Sequence, residues 1–179
     1  MSTMLSKKEL EIGSRYLRYY IRMYVKTFLY LDTHKRTSHW NTSRNAILEA
    51  HLMYARALIN FLIGKKIDKY PKDIYASDFF YYSFTPTPTY PITNSKLDEY
   101  FYKISGWIIH ITAKPLGKLK SEQIFEIGEI ANCLIPDLNR FFSNVHENHL
   151  AKNVKRDCEK FLLEIPIVEK KSNIDSPAT

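Results

Sequence analysis

The sequence predicts an all-α fold, an up-and-down bundle of four to five helices. Three observations predict it. Apolar residues recur at three-, four- and seven-residue spacing along several stretches, the period of one helix face. Capping residues stand ahead of those stretches, and Gly or Pro follows several of them. No stretch reads convincingly as a strand, and no internal repeat is present.

The first helix opens on Ser6 and Glu9, a capping-box pair, and carries Leu10, Leu17, Ile21, Tyr24, Phe28 and Leu31 on one stripe. From Lys7 to Leu31 it would run roughly 37 Å at about 1.5 Å per residue. Asp32, Thr33, His34 and Lys35 interrupt the pattern, and Thr42 or Ser43 offers the next cap. The second helix, about 44–63, is apolar around most of its circumference and belongs at the centre of the core. Gly64, followed by two lysines, reads as its C-cap. A long Pro-rich connection follows, with a short helical turn expected around Tyr75 to Phe80. The third helix is capped by Asn94 or Ser95 and aligns Leu97, Tyr100, Phe101, Ile104, Trp107, Ile108 and Ile111, ending at Pro115 and Gly117. Ser121 caps a fourth, running through Ile124 to Phe142, which Pro136 is expected to kink or split. A last amphipathic segment spans about Glu147 to Leu163. One domain over residues 1–165 is expected, with a disordered tail over 166–179.

The chain of 179 residues is 45% hydrophobic and 25% charged, which excludes a disordered body. No apolar run approaches the roughly 18 residues of a membrane span, and the N-terminus lacks an apolar signal region. Cys133 and Cys158 stand too far apart for a disulfide framework or a zinc site. The expectation is a cytoplasmic protein without cofactor, metal or membrane contact.

The balance of 26 Lys+Arg against 19 Asp+Glu gives a net charge of +7, and 13 residues are Tyr. Both point to a polyanionic partner. Arg15, Arg18, Arg22 and Lys26 fall within about 80° of one another at 100° per residue, opposite the Leu17–Ile21 stripe. They can track phosphates while Tyr16, Tyr19 and Tyr20 stack on bases, or they form an ordinary solvated face. Tyr20 reads as part of the core flank. His146 and His149, at i and i+3, lack further ligands at metal-site spacing and read as a surface pair. No Gly-rich phosphate loop, nucleophile elbow or kinase signature is present.

The remaining chemistry lies on the third helix. Lys103 and His110 are seven residues apart, about 20° from eclipsed, on a line bordering the apolar face. A histidine moves protons near neutral pH, and an ammonium stabilises charge developing on phosphate. The alternative is a half-buried His110 bonded within the bundle and a Lys103 reaching to water.

Three segments carry a family resemblance: Asn45 through His51 and Arg56 to Phe61, Asp73 through Asp78 to Phe80, and Lys103 through Ser105 and His110 to Thr112. Over about residues 44–145 the chain resembles the HEPN superfamily, compact helical bundles of toxin–antitoxin and phage-defence systems. In catalytic members an Arg and a His form a metal-independent ribonuclease motif across a dimer interface. The resemblance therefore implies a homodimer, with His110 as general acid/base and Lys103 as electrostatic stabiliser. Lys103 stands where those members carry Arg, and Ser105 stands where the resembling group carries Asn. His51 and Arg56, five residues apart, point to different faces of the second helix, with Asp78 the expected acidic partner of either. Two functions follow as expectations: a ribonuclease of this type, or an inactive bundle that binds RNA or a protein partner (toxin, antitoxin or phage component).

Overall fold

A computed structural model describes residues 5–34, 42–64, 73–80, 95–110 and 127–166, the side chains of 95 and 107–110 excepted. The described residues form five α-helices and two short 3-10 turns, with no strand among them.

Helix α1 (Lys7–Thr33) begins where Ser6 and Glu9 close a reciprocal box. The Glu9 N–H donates to Ser6 Oγ at 3.3 Å, and the Ser6 N–H donates to Glu9 Oε2 at 2.7 Å. Two of the amides that a helix start leaves unpaired are thereby satisfied. The stripe from Leu10 to Leu31 is buried as the periodicity predicts. It packs against α2 (Thr42–Ile63), which in turn meets α3 (Ser95–His110) and α4 (Ile127–Asn144). Helix α2 is thus the central element. By length and composition alone it is apolar enough to cross a membrane; here Leu52, Ala55, Leu58, Ile59 and Leu62 are buried against neighbouring helices.

Gly64 ends α2 without the left-handed backbone of a glycine cap, since no described glycine has positive φ. Its N–H closes the last turn on the Asn60 carbonyl at 2.7 Å. The reason for glycine is space. A Cβ here would lie 2.3 Å from both the Asn60 carbonyl oxygen and the Tyr75 ring. Gly64→Ala is therefore expected to lower stability by about 1–3 kcal/mol through displacement of Tyr75, read as a shift in the urea midpoint. An unchanged midpoint would show that the ring yields freely.

The expected turn near Tyr75 is a 3-10 turn, Ala76–Phe79. Asp78 Oδ2 accepts the Tyr75 N–H at 2.9 Å, and Phe79 and Phe80 enter the core against Phe141 of α4. Helix α3 buries Leu97 and Ile104. The Pro-rich stretch 81–94, the ends of the third-to-fourth helix connection (111–126) and the tail beyond Pro166 lie outside the described residues.

Of the kink or split expected at Pro136, the split is absent: α4 runs as one helix past the proline, which lies on the exposed side. The last amphipathic segment, Glu147 to Leu163, is not a single element. It divides into a 3-10 turn (Glu147–His149) and α5 (Val154–Leu162). Asn153 adopts φ 66°, a left-handed conformation that Asn tolerates better than most residues and that no helix interior accepts. Just before it, the Ala151 N–H donates to Ser14 Oγ at 2.9 Å instead of to a helical carbonyl, and this bond ties the break to α1. Helix α5 then packs along α1. Cys133 and Cys158 are free thiols, and burial pushes the Cys158 thiol up to about 12, which makes it a poor nucleophile.

Candidate nucleic-acid interface

The outer face of α1 is graded across its width. Arg15, Arg22 and Lys26 are exposed, and none forms an ion pair among the described residues. Arg18 leaves the stripe: its Nη1 lies 3.2 Å from Asp157 Oδ2 on α5. The pair is part-exposed, so its contribution to stability is small, about 1 kcal/mol or less, but it removes one of the four cations proposed to hold phosphate.

Toward α2 the same face turns aromatic. Tyr16 is 63% exposed, Tyr19 51% and Tyr20 37%, so Tyr20 is at the surface edge and not in the core flank. Tyr54, reaching up from α2, joins them. Its ring lies 6.2 Å from that of Tyr19 and 6.0 Å from that of Tyr20, and the Tyr19 and Tyr54 hydroxyls meet at 3.4 Å. That hydrogen bond, with some burial, raises the Tyr54 pKa. Rings held by one another present faces on which planar groups can stack at little entropic cost.

On the far side of the tyrosines stands Arg56. Its Nε donates to Ser105 Oγ at 2.7 Å, and its guanidinium lies 5.2 Å from the Phe101 ring centroid. Two contacts from α3 thus fix a cation that remains exposed and has no carboxylate partner among the described residues. Between Arg56 and the tyrosines a cavity of ≈ 480 Å³ opens, bordered by Tyr16, Tyr20, Arg56, Asn60, Asp73 and Tyr75.

Among the described residues, the others singled out by sequence do not gather into one centre. Lys103 is exposed on α3, and His110 is the last residue of that helix; its side chain and all of Thr112 lie outside the description. Lys103 and Ser105 are about 200° apart around α3, so the Arg56–Ser105 bond falls on the opposite flank from the Lys103/His110 line. His51 is fully buried and faces α1, where Nδ1 lies 3.0 Å from Thr27 Oγ1 and the ring stacks on Tyr24 at 4.5 Å. Asp78 holds the Tyr75 backbone. His146 and His149 lie with ring centroids 5.7 Å apart. Their Nδ1 atoms are engaged in opposite senses: that of His146 accepts the Asn148 N–H, while that of His149 donates to the Phe79 carbonyl at 2.6 Å. The neutral rings therefore present one Nε2–H and one lone pair, an unsuitable pair for a shared cation, and no group of three metal-ligating side chains exists among the described residues.

Sequence reading missed Asn60 and Asp73 as lining groups of the cavity and Tyr54 as the ring that joins Tyr19 and Tyr20. The only available signal was Arg56 and Asn60, four residues apart on one side of α2. No family model, no curated protein and no solved structure matches the chain.

Proposed function

We propose that the chain is an HEPN-like helical protein that binds single-stranded RNA through the α1–α2 face, acting as a binding module. The observation that carries this reading is the tyrosine ridge of Tyr16, Tyr19, Tyr20 and Tyr54, flanked on one side by Arg15, Arg22 and Lys26 and on the other by Arg56. Exposed rings alternating with cations suit a strand whose bases are splayed and whose phosphates run alongside. The same residue types occur in protein interfaces, but a row of cations with no carboxylate partners among the described residues favours a polyanion. Cleavage of RNA through His110 and Lys103 is the enzymatic form of the proposal. It is the lesser reading, because Arg56 and Ser105 pair on the flank of α3 away from the Lys103/His110 line, while His51 bonds to Thr27 and Asp78 to the Tyr75 backbone.

The test is equilibrium binding of an unstructured RNA oligomer as salt is varied. Phosphate contacts by Arg15, Arg22 and Lys26 contribute about −2 to the slope of log K against log salt, at roughly 0.7 per contact for single strands, and Arg56 adds one further contact. Replacing Arg15, Arg22 and Lys26 together by Ala should flatten that slope and weaken binding by on the order of a hundredfold at low salt. The RNA should be recovered intact. Affinity flat in salt would overturn RNA binding and leave a protein partner as the ligand. RNA cleavage that disappears in His110→Ala would make the chain an enzyme.

A further inference from the structure

We infer that the cavity beside Arg56 is a subsite for a single nucleotide unit, one base with its phosphate, that prefers guanine. This inference rests on the RNA-binding reading and adds to it a base preference. The cavity, ≈ 480 Å³, lies within the roughly 300–1,000 Å³ of small-molecule sites. Its walls divide by chemistry. Tyr16 and Tyr20 supply flat apolar faces from α1, with Tyr20 already braced edge-on by Tyr19 at 5.8 Å. Arg56 supplies a cation at one side, held by Ser105 and Phe101 so that its terminal N–H groups stay available to a phosphate. Asn60 and Asp73 supply a carboxamide and a carboxylate.

The carboxylate decides the base. Asp73 Oδ2 accepts from the Tyr75 hydroxyl at 3.3 Å, an orientation that fixes the group against the cavity wall. A carboxylate offers acceptors only, and it keeps most of its lone pairs after that one bond. The Watson–Crick edge of guanine carries two adjacent donors, the ring N–H and the exocyclic amine, which match two carboxylate oxygens. Uracil presents carbonyl oxygens on either side of its one N–H, and these oppose the carboxylate. The wall is itself anchored: Tyr75 is clamped over Gly64, and the turn that follows is locked by Phe79 and Phe80 in the core.

The same chemistry serves a free nucleotide or a guanosine within a strand, and the test separates them. The full chain is titrated with GMP, UMP, inorganic phosphate and two RNA tetramers, one of uridines and one carrying a single guanosine. GMP should bind saturably and on the order of tenfold more tightly than UMP. Arg56→Gln should weaken both nucleotides, while Asp73→Asn should abolish the preference for GMP and leave UMP affinity in place. A guanosine-containing tetramer much tighter than GMP assigns the site to a strand; equal affinity assigns it to a free nucleotide. If phosphate competes as well as GMP, or if Asp73→Asn leaves the preference intact, the subsite is wrong. In that event RNA binding that still responds to loss of Arg15, Arg22 and Lys26 would leave the broader reading standing.

Discussion

Phe141→Ala is expected to lower stability by about 3–5 kcal/mol, the cost of emptying a phenylalanine site in a packed core. The position is more demanding than burial alone implies. The Phe141 ring meets Phe61 of α2 at 5.1 Å, Phe79 and Phe80 of the 3-10 turn at 5.6 and 5.7 Å, and Phe142 at 5.1 Å, all steeply inclined. Edge-to-face pairs of this kind add to area burial, and one truncation removes four. The cavity also cannot collapse easily, because its lining comes from three separate elements. Urea denaturation should show the loss as a lower midpoint at an unchanged slope. Phe141→Leu, which keeps most of the volume, should cost far less. A loss under about 1 kcal/mol in the alanine variant would mean that the aromatic cluster repacks and does not determine the fold. The variant has a functional readout too. Phe79 and Phe80 carry the turn whose leading edge is Asp73 and Tyr75, so loosening Phe141 should weaken GMP before it weakens an RNA strand held by the α1 cations.

The helices were legible in sequence because each rests on a local rule. Ser6 and Glu9 lie three residues apart, and the buried stripe of α1 repeats from Leu10 to Leu31, so cap and face needed no tertiary information. What was not legible depended on distant groups. Just before the break at Asn153 the Ala151 amide donates to the Ser14 hydroxyl, 137 positions away. Gly64 was legible as the residue that ends α2, but not as the one that admits the Tyr75 ring. The site shows the same division. The cationic stripe was visible from i, i+3 and i, i+4 spacing, but the loss of Arg18 to Asp157 and the anchoring of Arg56 on Ser105 are contacts between helices. A period of 3.6 residues assigns a side chain to a face; it does not say which neighbour occupies that face.

Acidification should destabilise the fold between about pH 6.5 and pH 4, with His51 responsible for about 3 kcal/mol. Its ring is fully buried, and desolvation lowers its pKa from 6.5 to about 4, a fall that the hydrogen bond to the Tyr24 backbone partly opposes. The hydrogen bonds settle which nitrogen is protonated. The Thr27 hydroxyl already donates to the Met23 and Tyr24 carbonyls, at 2.8 and 3.0 Å, so at 3.0 Å it accepts from His51 Nδ1–H. Nε2 then carries the lone pair and is buried without a hydrogen-bond partner. A second proton would have to enter there, beside apolar side chains and the Tyr24 ring. Above pH 6.5 the group is neutral in both states and contributes no pH dependence. Below that, the unfolded chain takes up a proton that the folded chain refuses, and stability falls until the folded histidine also titrates near pH 4. His51→Phe keeps the stack on Tyr24 at 4.5 Å and leaves the Thr27 hydroxyl bonded to its two carbonyls, while removing the titration. Urea midpoints at pH 7 and pH 4.5 should therefore converge in this variant relative to the parent. If both proteins lose the same stability on acidification, the buried imidazole does not set the acid limit of the fold.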